Sequence, residues 1–301
     1  MDYGRPLSFG YFPSPEAAGL GELLLTVQLA DRLGLELVGI QDHPYQQRFL
    51  DTWTLIAFAT ARTERTVFFP DVASLPLRPP AVLAKSAATL DLLSEGRIEL
   101  GLGSGAYWPG IAAMGGRSLS PGDAVSALEE AIHVIRLMWS GERSARFEGR
   151  FYSLGGVRPG PPPAHEMEIW LGAYKPRMLR LTGSLADGWV PSAAYLAPET
   201  VADSSARIDE AAAAAGRDPA AIRRVYNVWG LITEDGSTGS GDAWTWPLER
   251  WVDVLTRLAV EDGIDSFVFG PAGETERQLH LWAEGVAPGV RANLSAARAR
   301  G

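Results

Sequence analysis

Between residues 7 and 285 the chain repeats one pattern eight times: a short apolar run, then a longer amphipathic stretch. The runs are Leu7–Phe12, Leu37–Ile40, Val67–Ser74, Gly96–Gly103, Met167–Leu171, Gly188–Val190, Arg223–Ile232 and Ile264–Phe269. Short apolar runs bounded by turn residues read as buried parallel strands. The stretches between them have helical spacing, clearest in Asp123–Trp139 with Leu128, Ile132, Ile135 and Met138 on one face. Leu20–Leu33, a segment opened by Pro79-Pro80, Pro176–Ser184, Pro198–Ala215, Pro247–Glu261 and Glu274–Gly285 follow the same rule. Eight such units in 301 residues predict an α/β chain folded as one TIM (β/α)8 barrel over residues 1–301, in preference to a doubly wound sheet. Two stretches break the rhythm. Residues 140–166 predict a small hairpin, Arg146–Tyr152, inserted after the fourth helix and followed by the Pro159–Pro163 connector. Residues 234–246, rich in Gly and Ser, predict a mobile loop that orders over the mouth on Trp244 and Trp246 when substrate binds.

What the chain lacks narrows its chemistry. It has no cysteine, which excludes disulfides, thiolate metal sites and cysteine nucleophiles. A net charge of −9 argues against a nucleic-acid surface. No apolar run approaches the roughly 20 residues of a membrane span, and Met1-Asp2 begins no signal peptide, so a cytoplasmic protein is expected. None of the four histidines has metal-ligand spacing, and no metal is expected. His133, His165 and His280 fall in helices or a loop away from strand ends and read as structural or solvated.

A barrel of this type carries its active site where strands end. The positions there are Asp42 and His43 after the second run, Asp71–Ser74 closing the third, Gly103–Trp108 after the fourth, Gly172–Arg177 after the fifth and Trp189 in the sixth. The glycines at 101, 103 and 105 invite a dinucleotide reading. Pro109-Gly110 is expected to stop a helix from opening there, which leaves that motif incomplete. Two readings survive: a tight strand exit that needs small residues, or backbone brought close to a flat ring beside Tyr107 and Trp108. Ser104 lacks the Gly-x-Ser-x-Gly spacing of a hydrolase nucleophile. Gly172-Ala173-Tyr174-Lys175-Pro176-Arg177 opens a helix with two cations, and is either a phosphate pocket or an ordinary helix start. His43 is either an acid–base group or a turn residue. Burial against Tyr45 and Trp108 would lower its pKa and Asp42 would raise it, so its charge stays open. Asp42 either faces a ligand or orients the turn.

The chain resembles the bacterial luciferase-like monooxygenase superfamily of flavin- and deazaflavin-dependent enzymes. The matching stretches are Gln41–Pro44, Leu75–Lys85, Leu90–Gly105, Gly172–Gly183, Ala186–Trp189 and Asp265–Pro271. The resemblance implies a TIM barrel with an elongated cofactor along the mouth and its phosphate near Gly172–Arg177. It implies that Asp71-Val72 is a bulge behind the ring, which holds a non-proline cis peptide in the deazaflavin members. Gly103, Gly105, Ala106, Ala173, Tyr174, Lys175 and Trp189 complete the cofactor-binding set that it implies. Asp71 departs from the small or hydroxyl residue usual at its position. Ala106 stands where some deazaflavin dehydrogenases carry a proton-donating glutamate, which leaves His43, Tyr107 or a substrate group to manage protons. The implied activity is hydride transfer between the deazaflavin coenzyme F-420 (hereafter F420) and a small organic substrate. The alternative is an FMN monooxygenase using O2 and reduced flavin from a separate reductase. A third reading, a non-catalytic flavin-binding protein, sits poorly with eight complete units. A homodimer is also expected.

Overall fold

A computed structural model describes residues 1–239 and 243–300. The strands are β1 Ser8–Tyr11, β2 Leu37–Ile40, β3 Val67–Pro70, β4 Ala73–Ser74, β5 Leu100–Gly103, β6 Ala145–Glu148, β7 Ser153–Val157, β8 Ile169–Leu171, β9 Gly188–Trp189, β10 Arg223–Thr233, β11 Trp244–Pro247 and β12 Ser266–Pro271. Nine of them pair in the order β3-β2-β1-β12-β10-β9-β8-β5-β4, every pair parallel. The third apolar run supplies both β3 and β4, and a parallel bridge between Phe68 and Ile98 brings β3 beside the approach to β5, so the sheet returns to itself as a TIM barrel. Helices α1 Leu20–Arg32, α2 Thr52–Thr60, α3 Pro80–Leu93, α4 Trp108–Ala113, α5 Pro121–Trp139, α6 Pro176–Leu185, α7 Val201–Ala214, α8 Leu248–Glu261, α9 Thr275–His280 and α10 Ala287–Arg298 complete the chain.

Strand alternation divides the apolar residues into two cores. Phe9, Val38, Phe68, Leu100 and Ile169 join the helices in the larger one. Phe12, Leu37, Phe69, Trp170, Val190, Val225 and Val268, drawn from strands all round the ring, form a separate cluster that plugs the barrel.

Three expectations need correction. A short helix, α4, does open at Trp108; Pro109 sits in its first turn, where the absent N–H removes no helical bond. The last helix does not stop at Gly285. A π-turn over Leu281–Val286 leads into α10, and Gly285 and Gly289, which look like breakers, let α8 approach closely: a Cβ at Gly285 would collide with Leu248, and one at Gly289 would lie 2.8 Å from Val252. The loop expected over 234–246 ends early. Residues 240–242 lie outside the described residues, but β11 pairs with Gly230–Thr233, and Trp244 stacks on Trp246 at 4.5 Å beside Trp251 of α8. These tryptophans are committed to packing. The β6–β7 hairpin is antiparallel, and the Glu130 carboxylate accepts the N–H groups of Arg150, Phe151 and Tyr152 at its turn.

At the N-terminal end of the barrel His165 bridges Glu99 (3.2 Å) and the buried Asp91 (3.0 Å). Its pKa is pushed up to about 9, chiefly by the Glu99 hydrogen bond and then by Asp91, against burial. A folded value above the unfolded 6.5 gives stability that is complete below pH 6.5 and lost as pH rises through about 9. His165→Gln should therefore cost about 1–2 kcal/mol at pH 6, allowing for solvent screening. The cost should vanish by about pH 10 in urea denaturation; a pH-independent difference would contradict the assignment.

Candidate active site

The mouth is built around Asp71-Val72, the pair between β3 and β4, joined by a cis peptide. The Asp71 N–H donates to the Ile40 carbonyl at 2.7 Å, which holds the pair to β2. The Val72 side chain fills space left by three glycines. A Cβ at Gly103 would lie 2.7 Å from Val72 Cγ2, one at Gly172 would lie 3.3 Å from the same atom, and one at Gly101 would collide with the Pro70 carbonyl oxygen. The close approach demanded by the glycine run is thus to the bulge. Gly105 has a separate reason: its φ is +101°, and a Cβ would press on Pro76 and the Trp108 ring at 2.8 and 2.9 Å.

Asp71 and Asn227 place polar atoms in this otherwise apolar end of the barrel. Asp71 Oδ2 and both amide atoms of Asn227 are buried without a hydrogen bond among the described residues. Burial pushes the Asp71 carboxyl up to about 7, partly opposed by the Asn227 amide beside it. Buried polar atoms are normally partnered. Three orphaned ones next to a glycine-lined platform suit the polar edge of a flat ring such as a flavin or deazaflavin. Sequence reasoning missed Asn227; its signal was a lone amide within the apolar run Val225-Tyr226-Asn227-Val228.

The exit of β2 separates two neighbouring residues. Asp42 is buried and accepts the Ser74 N–H at 2.9 Å and Arg78 Nε and Nη2 at 2.7 Å each, while Arg78 also reaches Asp51 at 2.7 Å. It is a tie between the β2 and β4 exits, which corrects its place among ligand-facing groups. His43 closes the turn only through its backbone, its carbonyl accepting the Gln46 N–H at 2.9 Å. The half-buried imidazole makes no hydrogen bond among the described residues and stacks on Tyr45, with centroids 5.5 Å apart. Tyr107, and not Trp108, extends this group, with its ring 5.3 Å from Tyr45. Burial lowers the His43 pKa and outweighs Asp42, whose charge is spent on Arg78. Ala106 and Tyr107 are exposed at the rim.

At the β8 exit several expected contacts turn inward. Trp189 is fully buried and donates Nε1–H to the Ala173 carbonyl at 2.8 Å, so both residues pack below the mouth. The Tyr174 hydroxyl accepts the Ser192 N–H at 3.0 Å. Arg177 donates to the Gly122 carbonyl and Ser126 Oγ, at 2.7 Å each, and clamps α5. What remains for an anion is exposed Lys175 and the first turn of α6, with Gly172 beside the bulge. Among the described residues no group of His, Asp and Glu could hold a metal ion.

A family model described as luciferase-like monooxygenase matches residues 1–237. An F420-dependent glucose-6-phosphate dehydrogenase of Microbacterium testaceum (strain StLB037) is 32% identical over 191 residues, covering 62% of this chain and 56% of that protein. An F420-dependent hydroxymycolic acid dehydrogenase of Mycobacterium tuberculosis (strain ATCC 25618 / H37Rv) is 28% identical over 298 residues, covering 92% and 79%. The match to the first of these spans little more than half its length. Among solved structures, an F420-dependent secondary alcohol dehydrogenase in complex with an F420-acetone adduct shares the fold, with a TM-score of 0.85 at 20% identity over 95% of this chain and 99% of that one.

The Asp71 environment has a measurable consequence. A native carboxyl that titrates near 7 keeps a proton that the unfolded chain releases near 3.8, so stability falls as pH rises between those values. Asp71→Asn should match wild type at pH 4 and exceed it by about 1–3 kcal/mol at pH 8 in urea denaturation. Parallel stability curves would show that Asp71 is ionised or solvated throughout.

Proposed function

Because the chain belongs to the luciferase-like monooxygenase family, we propose that it is an oxidoreductase moving a hydride between F420 and a small organic alcohol or carbonyl compound. The observation that carries this reading is His43, an imidazole free of hydrogen bonds among the described residues, depressed in pKa and held at the exit of β2 next to the bulge. The F420-dependent relatives favour the deazaflavin over FMN. The bound deazaflavin supplies the hydride donor or acceptor.

The chain's own groups do the rest. Val72 and its glycine cradle support one face of the ring, and Asp71 and Asn227 meet its polar edge. Lys175 and the first-turn N–H groups of α6 receive the phosphate. Neutral at pH 7, an imidazole nitrogen of His43 accepts the hydroxyl proton as hydride leaves the carbinol carbon, giving a carbonyl. In reverse it returns that proton to the carbonyl oxygen. With alanine at 106, the Tyr107 hydroxyl is the other donor at the rim. Leu25, Phe58, Val82 and Leu93, exposed on α1, α2 and α3, support a homodimer. No described helix is long and apolar enough to cross a membrane.

Titration of the purified chain should show F420 binding and no comparable FMN binding. His43→Gln should lower turnover about 10²–10⁴-fold with melting temperature and F420 affinity nearly unchanged. Wild-type alcohol oxidation should fall as pH drops below the depressed His43 pKa, because the base is then protonated. Retained turnover in the variant would remove His43 from the chemistry, and O2-consuming turnover with reduced FMN would replace the F420 reading.

A further inference from the structure

A cavity of about 360 Å³ opens beside the mouth, between the β4 exit, the α4–α5 connector, α5 and the β6–β7 hairpin. Its volume lies within the range of about 300–1,000 Å³ that holds small ligands. The bulge, the orphaned Asp71–Asn227 atoms, His43 and Lys175 take no part in its walls. Most of the wall is apolar, from Leu75, Leu77, Met114, Leu119 and Phe151. Leu75 is buried, Leu119 and Phe151 are half-buried, and Met114 is 52% exposed. A cavity with such walls suits the apolar body of a small ligand.

Three polar groups interrupt that wall, each with a distinct place. Ser104 belongs to the β5 exit, one residue past Gly103 of the cradle, and is the part of the wall that lies next to the cradle in the chain. Arg117 lies over the Phe151 ring, 5.7 Å from its centroid, and has no carboxylate partner among the described residues. The half-buried Tyr152 is held by its backbone to Glu130, and its hydroxyl makes no hydrogen bond among the described residues. An apolar body fits the wall, and an anionic end fits Arg117.

We propose that this cavity is the substrate-body site, and that it takes a medium-chain amphipathic carboxylate whose reacting end lies toward Ser104 and whose carboxylate lies toward Arg117. The proposal rests on the oxidoreductase reading above and names its substrate class. It also gives the hairpin a function: Phe151 and Tyr152, fixed by Glu130, close the cavity on the side away from the barrel.

The test uses the full chain saturated with F420, with dodecanoate and dodecanol as probes in calorimetric titrations. Dodecanoate should bind more tightly than dodecanol. Arg117→Ala should weaken dodecanoate roughly three- to fivefold, as expected for an exposed ion pair, and leave dodecanol unchanged. Leu119→Glu should weaken both probes. F420 affinity, read separately by its fluorescence, should be unchanged in both variants. Binding of neither probe, or insensitivity to Leu119→Glu, would overturn the site. Equal binding of the two probes would overturn the anionic end. Competition between dodecanoate and F420 would overturn the substrate assignment by giving the cavity to the cofactor. Dodecanoate binding by a chain that never binds F420 would retain the cavity and refute the cofactor reading alone.

Discussion

The mouth of this barrel depends on how closely β5 and β8 approach the Asp71-Val72 bulge. No side chain fits at Gly101, where a Cβ would collide with the Pro70 carbonyl oxygen; Gly103 admits Val72 because it lacks one, and Gly172 lies close beside the same side chain. Interiors are packed densely enough that such contacts cannot be softened by small shifts. The platform and the strand exits on either side follow from that fit. A bulkier residue at Gly101 or Gly103 would displace the bulge before it touched a ligand.

Electrostatics at the β2 exit work through a division of labour between adjacent residues. Asp42 could have charged His43, but its oxygens are taken by the Arg78 guanidinium and the Ser74 N–H. Burial then sets the imidazole, which stays neutral near pH 7. The same ion pair joins the exits of β2 and β4, beside an imidazole whose pKa burial lowers against the pull of Asp42. Arg177 plays a comparable part on the far side, where its cation is used to anchor α5.

Much of the fold is legible in the chain because the apolar runs and helical stretches are local signals, and all eight runs form barrel strands. The misread elements share a cause. Pro109 and Gly285 are breakers by propensity, yet Pro109 occupies a helix start and Gly285 a close helix contact. Trp244 and Trp246 read as anchors for a loop that orders on substrate, while pairing with Gly230–Thr233 and packing on Trp251 already hold them in place. In the site, residue positions are more legible than residue tasks. His43, Asp71 and the glycines come to the mouth as their places at strand ends require. Asp42, Trp189 and Arg177 are there too, but their hydrogen bonds run to the protein itself, and only tertiary contacts reveal that. Asn227, a single amide in an apolar strand, matters because its side-chain atoms have no hydrogen-bond partner among the described residues.

The proposed reaction depends on one placement: a deazaflavin ring would rest on Val72, with its polar edge at Asp71 and Asn227 and with His43 beside its reactive side. A crystal structure of the chain with F420 measures this directly. The prediction is a ring in van der Waals contact with Val72, hydrogen bonds to the Asn227 amide, and an imidazole of His43 open toward the substrate side. A ring bound elsewhere on the barrel, or one that leaves Asp71 and Asn227 without partners, would contradict it.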